Sequence, residues 1–295
     1  SMNNTIDGGI ISFFLSSLKH SINIFKYFFS IQSKRDLLDL KINKYEIGPY
    51  IYDAVLRKLN LAEVDMLTFD IKKIIFLELS YFYFFKSLII KYNIKTIVLG
   101  DNVYRMGLLF ELAKHNNIEC ITPVNLNAFS MRKYESKSEF NTHYRKPDMS
   151  ILNKLDKNKM NSYLDKYFSK RFSANLEQHD ILKAYSNSKV IYTKDEIITE
   201  YNLKEGLPII VVMNHIFCDA PHAYPDGLYD DYKEWLIKTI ESLQRNDKIN
   251  FLVKEHPSAG LYNELGVINK ILKKLNCEHL LLKDNVHSLT VLNQF

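Results

Sequence analysis

Between Pro208 and Leu282 the sequence alternates short branched-aliphatic runs with longer stretches of helical spacing, and this alternation restricts the fold more than any other feature. The runs Pro208–Met213 (PIIVVM), Ile249–Lys254 (INFLVK) and His279–Leu282 (HLLL) are strand-length, while Asp231–Arg245 and Leu261–Leu275 between them read as helices. Strands joined through helices of that length pair in parallel, because a tight hairpin cannot connect them. Ile94–Gly100 (IKTIVLG), the helical Tyr104–His115 and Ile118–Val124 (IECITPV) repeat the arrangement earlier in the chain as a βαβ unit.

The remaining segments fit around these two series. Gly48 and Pro49 mark a turn that opens a helix running to Asn60, Asp70–Tyr92 is a long aromatic-rich helix, and Ile10–Ile31 reads as one amphipathic helix. The polar stretch Tyr144–Lys189, with helical segments around Ser150–Phe172 and Gln178–Ser186, reads as a connection. The expected fold is therefore α/β with two Rossmann-like lobes, residues 1–189 and 190–295. Open parallel sheets average about five or six strands. The second series has three, so further chain is expected to complete that lobe.

Composition removes several classes of function. Lys19, His20, Asn23 and Lys26 interrupt Ile10–Ile31, and carrying them into hydrocarbon costs several kcal/mol, so a membrane-spanning helix is disfavoured. Its apolar face is then either core or a peripheral membrane contact. Cys120, Cys218 and Cys277 are odd in number and widely spaced, which argues for a reducing compartment and against a zinc site. The net charge of +5 suits an anionic partner, but its scattered basic residues form no nucleic-acid stripe. No Walker loop, GxGxxG or serine elbow is present.

Polar residues capable of chemistry gather at the carboxyl ends of the two runs, where open α/β sheets bind ligands. The loop Asn214–Asp231 (NHIFCDAPHAYPDGLYDD) offers Asn214, His215, Asp219, His222 and Asp226; the alternative is a solvated surface loop. His215, Asp219, His222 and Asp226 are all metal-competent, yet their spacing matches no strong metal motif, and no metal site is assigned. Lys254, Glu255, His256, Pro257 and Ser258 follow the next run: Lys and His suit phosphate oxygens, and Pro257 and Ser258 are placed to open the following helix. In the first series Asp101 sits at the strand end, as a base or as a helix cap, with Tyr104 and Arg105 after it. Asp53 and Arg57 are spaced for an i,i+4 ion pair, and Tyr52 lies about 140° round the helix from Arg57.

The order of a strand, then His215–His222 (HIFCDAPH), Asp231–Trp235 (DYKEW) and a strand ending Lys254–Pro257 (KEHP), resembles bacterial capsule and surface-polysaccharide glycosyltransferases of the GT-B fold. These include the HP-motif group of capsule Kdo transferases and polysialyltransferases. Ile47–Lys58 (IGPYIYDAVLRK) and Gly100–Cys120 (GDNVYRMGLLFELAKHNNIEC) are similar to elements of their first lobe, although Asp101 stands where a His is usual. The resemblance spans most of residues 45–290.

That resemblance implies two lobes with a cleft between them, the first taking the acceptor and the second the nucleotide. It implies donor-phosphate contacts for His256 and Lys254; Asn214, His215, His222, Pro257 and Ser258 are expected to join them, with Tyr104 and Arg105 on the acceptor side. Asp101, for its place at the end of the first-lobe strand and not from the resemblance, is the expected catalytic base, with Asp219 as second choice. The resemblance implies a CMP- or UDP-linked sugar donor, a glycan or glycolipid acceptor, no tightly bound cofactor, and compatibility with a divalent cation. The implied location is cytoplasmic, peripheral at the inner face of the cytoplasmic membrane or in an export complex, with no nucleic-acid partner. Two other readings stay open: teichoic-acid-type phosphoalditol transfer, and a non-catalytic scaffold of a polysaccharide assembly complex.

Overall fold

A computed structural model describes residues 2–125, 129–134, 154–175, 179–223 and 227–294. Its contacts divide the chain into two compact units, Ser1–His143 with Phe217–Asp231, and Tyr144–Ile216 with Tyr232–Phe295. The sequence alone places one boundary at 189/190. The polar 144–189 stretch instead groups with the second unit, and the chain leaves that unit after Ile216 and re-enters it at Tyr232.

The first unit contains helices α1 (Met2–Lys19), α2 (Ser21–Ser30), α3 (Lys34–Leu38), α4 (Gly48–Leu59), α5 (Phe69–Tyr92) and α6 (Tyr104–His115). A short hairpin of β1 (Lys41–Ile42) and β2 (Tyr45–Glu46) precedes α4. Strands β3 (Thr96–Val98) and β4 (Glu119–Asn125) pair in parallel with Ile97 opposite Cys120, so the expected βαβ unit is present. An antiparallel strand β5 (Phe129–Tyr134) extends the sheet on the far side of β4. The single helix expected over Ile10–Ile31 is two, with His20 turned out of helical geometry at their junction (φ −104°, ψ 11°).

Helix α4 supplies several of the polar side chains that hold the 217–231 loop, and its start is sterically fixed. Pro49 sits in its first turn, where a missing N–H is harmless, and Asn60 ends it in the left-handed region (φ 51°). Gly48 is closely approached by neighbouring backbone: a Cβ there would lie 2.2 Å from the Leu37 carbonyl oxygen and 2.4 Å from that of Leu38. Backbone cannot swing aside like a side chain. Gly48→Ala is therefore expected to cost about 2 kcal/mol, seen as a lower urea midpoint with an unchanged slope.

The second unit contains α7 (Lys157–Phe172), α8 (His179–Ala184), α9 (Lys194–Glu200), α10 (Tyr232–Gln244), α11 (Val267–Lys274) and α12 (Ser288–Gln294). Strands β6 (Ile209–Met213) and β7 (Asn250–Lys254) pair in parallel, with Ile209 opposite Asn250. Every residue of β7 is buried, as a strand covered on both faces requires. Ile197, Tyr201, Leu252, Leu282 and Val286 form a buried core here, bringing α9 and the 282–286 segment against the strand. Of the helical segments expected in 144–189, residues 150–153 and Gln178 lie outside the described residues.

Two expectations fail in this unit for local backbone reasons. Leu261–Leu275 is not one helix: Asn263 (φ 57°) and Gly266 (φ 76°) break it into a 3₁₀ turn at Ala259–Tyr262 and α11. Pro257 and Ser258 consequently precede a four-residue 3₁₀ turn and open no α-helix. His279–Leu282 is not a strand either. A 3₁₀ turn takes up Glu278–Leu280, and the chain meets β7 only at Leu281, by one parallel bridge to Val253.

Candidate functional site

In the second unit the parallel pair delivers its polar residues side by side. The Asn214 N–H donates to the Lys254 carbonyl at 3.0 Å, which prolongs the β6–β7 ladder by one residue. Lys254 is only 6% exposed, and its Nζ donates to the Val286 carbonyl at 3.0 Å. Among the described residues, no carboxylate lies within ion-pair distance of it. Burial, and then the neighbouring charge of Lys189, push its pKa down to about 8, with Asp284 acting weakly in the other direction. Burial also raises the pKa of the adjacent Glu255 carboxyl.

Two imidazoles face the same space. The His256 Nδ1 accepts from the Ser258 N–H at 3.1 Å, which leaves the proton of a neutral ring on Nε2. The His215 ring lies 5.8 Å from that of His256, centroid to centroid, and 4.8 Å from Tyr232. Asn214, His215, Lys254, Glu255, His256 and Pro257 line a cavity of about 390 Å³. Among the described residues the buried Oδ1 of Asn214 has no hydrogen-bond partner, so an acceptor is available at that lining. A second cavity of about 360 Å³ shares Lys254, Glu255, Pro257 and Ser288.

The first unit holds a separate polar cluster, built where α4 and α6 grip the loop from Phe217 to Asp231. Asp53, 1% exposed, accepts from the His222 backbone N–H through Oδ2 at 3.2 Å, and its Oδ1 lies 2.6 Å from the His222 Nδ1. The carboxylate holds the Nδ1 proton and so leaves the lone pair on Nε2. Tyr52 packs edge-on against that imidazole at 5.4 Å and donates its hydroxyl to Asp231 at 2.7 Å. Lys34 reaches the same Asp231 oxygen at 2.8 Å. Arg57 approaches the Cys218 sulfur at 3.9 Å. Three α4 side chains thus reach one loop.

From α6, Tyr104 donates its hydroxyl to Asp219 at 3.0 Å, and burial followed by the Asp219 charge raises the tyrosine pKa. Tyr104 has φ 51°, and Ala220 beside Asp219 has φ 48°. All the other described non-glycine residues with positive φ, Ala174 excepted, are asparagines, which tolerate that region. Backbone strain therefore collects on both sides of the Tyr104–Asp219 bond. Arg105 forks onto the buried Glu78 at 2.8 and 3.0 Å and lies over the Tyr81 ring at 3.5 Å, while Lys58 bonds the same carboxylate at 2.6 Å. Asp101 is exposed and accepts from the Val103 N–H at 3.4 Å, with its pKa raised by desolvation; the N-cap position of α6 itself is Val103.

The structure therefore brings Asn214, His215, Lys254, His256, Pro257 and Ser258 together in the second unit. It places His222 in the first unit with Asp101, Tyr104, Arg105 and Asp219. Asp226 lies outside the described residues, and among those described no three His, Cys, Asp or Glu side chains gather closely enough to hold a metal ion. The Asp53–His222 and Tyr52–Asp231 pairs escaped the sequence reading, since 169 and 179 residues separate their members and no local spacing connects them. Comparison with protein-family models, curated proteins and solved structures finds no match.

Proposed function

We propose that this chain is a glycosyltransferase of the GT-B kind, moving a sugar from a nucleotide-activated donor to a surface glycan. The observation that carries the reading is Lys254, a buried ammonium at a parallel strand end, lining one cavity with His215 and His256. An unpaired buried cation lowers stability, and an anionic ligand would reverse that cost. A nucleotide diphosphate has suitable charge, and the His256 Nε2–H can donate to its oxygens, while His215 keeps its Nδ1 proton on the Ile216 carbonyl at 3.1 Å.

The chemistry assigns separate tasks to the two clusters. The acceptor hydroxyl loses its proton to the His222 Nε2 as its oxygen attacks the anomeric carbon. The bond from that carbon to the donor phosphate breaks, and its electron pair leaves on the phosphate oxygen, where Lys254 and His256 stabilise the charge. His222 takes precedence over Asp219 and Asp101 as base because a buried carboxylate fixes its tautomer and orientation. Asp219 already accepts the Tyr104 hydroxyl, and Asp101 the Val103 N–H.

Calorimetric titration with CMP, CDP, UDP and GDP tests the donor side. One nucleotide is expected to bind selectively, and His256→Ala to weaken it about tenfold, the loss of one hydrogen bond to a charged group. Absence of heat with all four would remove the donor site and the activity built on it.

A further inference from the structure

The first two helices present two apolar faces, and the fold uses one. Backbone bonds from the His20 N–H to the Ser16 carbonyl and from the Ile24 N–H to the His20 carbonyl, both 3.0 Å, carry helical bonding across the junction of α1 and α2. On one side Phe13 packs against Tyr81, Phe28 against Phe76, and Ile24 is 1% exposed, so this side is seated on α5. On the other side Ile11, Leu15, Leu18, Ile22 and Phe29, with Phe25 at the edge where its ring also meets Phe76 at 5.5 Å, recur at steps of four and three residues, with exposures from 45% at Phe25 to 84% at Ile22. That spacing keeps them on one stripe about 27 Å long. A helix apolar on both sides is normally covered on both sides.

The charges beside the stripe select its cover. Lys19 and Lys26 follow Leu18 and Phe25 directly and are exposed, and residues 8–30 contain neither Asp nor Glu. His20 at the junction has a lowered pKa, through burial first and then the charges of Lys19 and Lys86. A second copy laid on this stripe would bring lysines against lysines with no acid on the segment to answer them. Lysines flanking Phe, Leu and Ile match the headgroup and acyl boundary of an anionic bilayer. Among the described residues no helix is long and apolar enough to cross a membrane, so the contact is a surface one.

We propose that the Ile11–Phe29 stripe of α1 and α2 docks in the plane of an anionic phospholipid surface. The contact rests on these helices alone and stands or falls independently of the transferase reading. Flotation with vesicles of phosphatidylglycerol and phosphatidylcholine, against phosphatidylcholine alone, tests it. The chain is expected to float with the anionic vesicles, and Leu18→Ser with Ile22→Ser to lower the partition at least about tenfold. Lys19→Gln with Lys26→Gln should reduce binding to the anionic vesicles only. All four positions are solvent-facing, so an unchanged thermal midpoint will show that the fold is intact. No flotation of the parent chain, or undiminished flotation of the serine variant, overturns the proposal. So does a dimer that the serine variant dissolves in the absence of lipid.

Discussion

Replacing Lys254 with Met should make the protein more stable and unable to hold a nucleotide phosphate. Lys254 is 6% exposed, and its pKa falls from 10.5 to about 8. A lowered pKa for a cation means that folding disfavours the charged form. The shift corresponds to a cost on the order of 3 kcal/mol wherever the group is charged in both states. Met fills a similar volume without the charge, so at pH 7 the variant should gain roughly that amount in urea unfolding.

The pH dependence supplies the sign. Below about pH 8 the lysine is protonated folded and unfolded, and the full penalty applies. Between about 8 and 10.5 the unfolded chain keeps a proton that the folded chain has lost, so unfolding takes up a proton and the folded state gains stability as pH rises. The parent should therefore approach the Met variant across that window and match it near the upper end. Nucleotide affinity should move oppositely, weakening by up to about tenfold per pH unit above 8 as the ammonium is lost. A Met variant that is less stable at pH 7, or one that binds nucleotide like the parent, would contradict the assignment. Stability surrendered at a ligand site is the usual relation between fold and function.

The range of each interaction decides whether the sequence reveals it. Tyr104–His115 is a helix over those residues, and β6 and β7 fall within one residue of their apolar runs, because periodicity is local. Asn214, His215, Lys254 and His256 meet because each lies at or just beyond the end of a parallel strand, and the strand pairing itself could be read. Apolar spacing alone predicts one helix over Leu261–Leu275, whereas Asn263 ends a 3₁₀ turn and Gly266 starts α11 afresh, both at positive φ. Asp53 shows the limit of local reasoning. Its spacing to Arg57 can be read along the helix, but nothing local points to His222, which the carboxylate bonds and which only the course of the 217–231 loop brings near.

That loop is also where the largest loss of activity is expected. With the nucleotide sugar whose nucleotide binds best, His222→Ala should lower kcat about 10²- to 10⁴-fold, the range for a positioned acid–base group, with little change in KM. Asp53→Asn should lower it by a comparable factor for a different reason. An amide can offer an N–H to the His222 Nδ1 where the carboxylate accepted one, which moves the ring proton to Nε2 and blocks proton acceptance there. The Asn side chain can still accept the His222 backbone N–H through its oxygen, so the loop should stay in place. Limited proteolysis across 217–231 separates the two roles: a cut rate like the parent's with kcat lost identifies a positioning residue, whereas rapid cutting identifies a latch. If Asp53→Asn keeps both its loop and its kcat, His222 is not the base. Asp219, already bonded to a strained Tyr104, then becomes the next residue to replace.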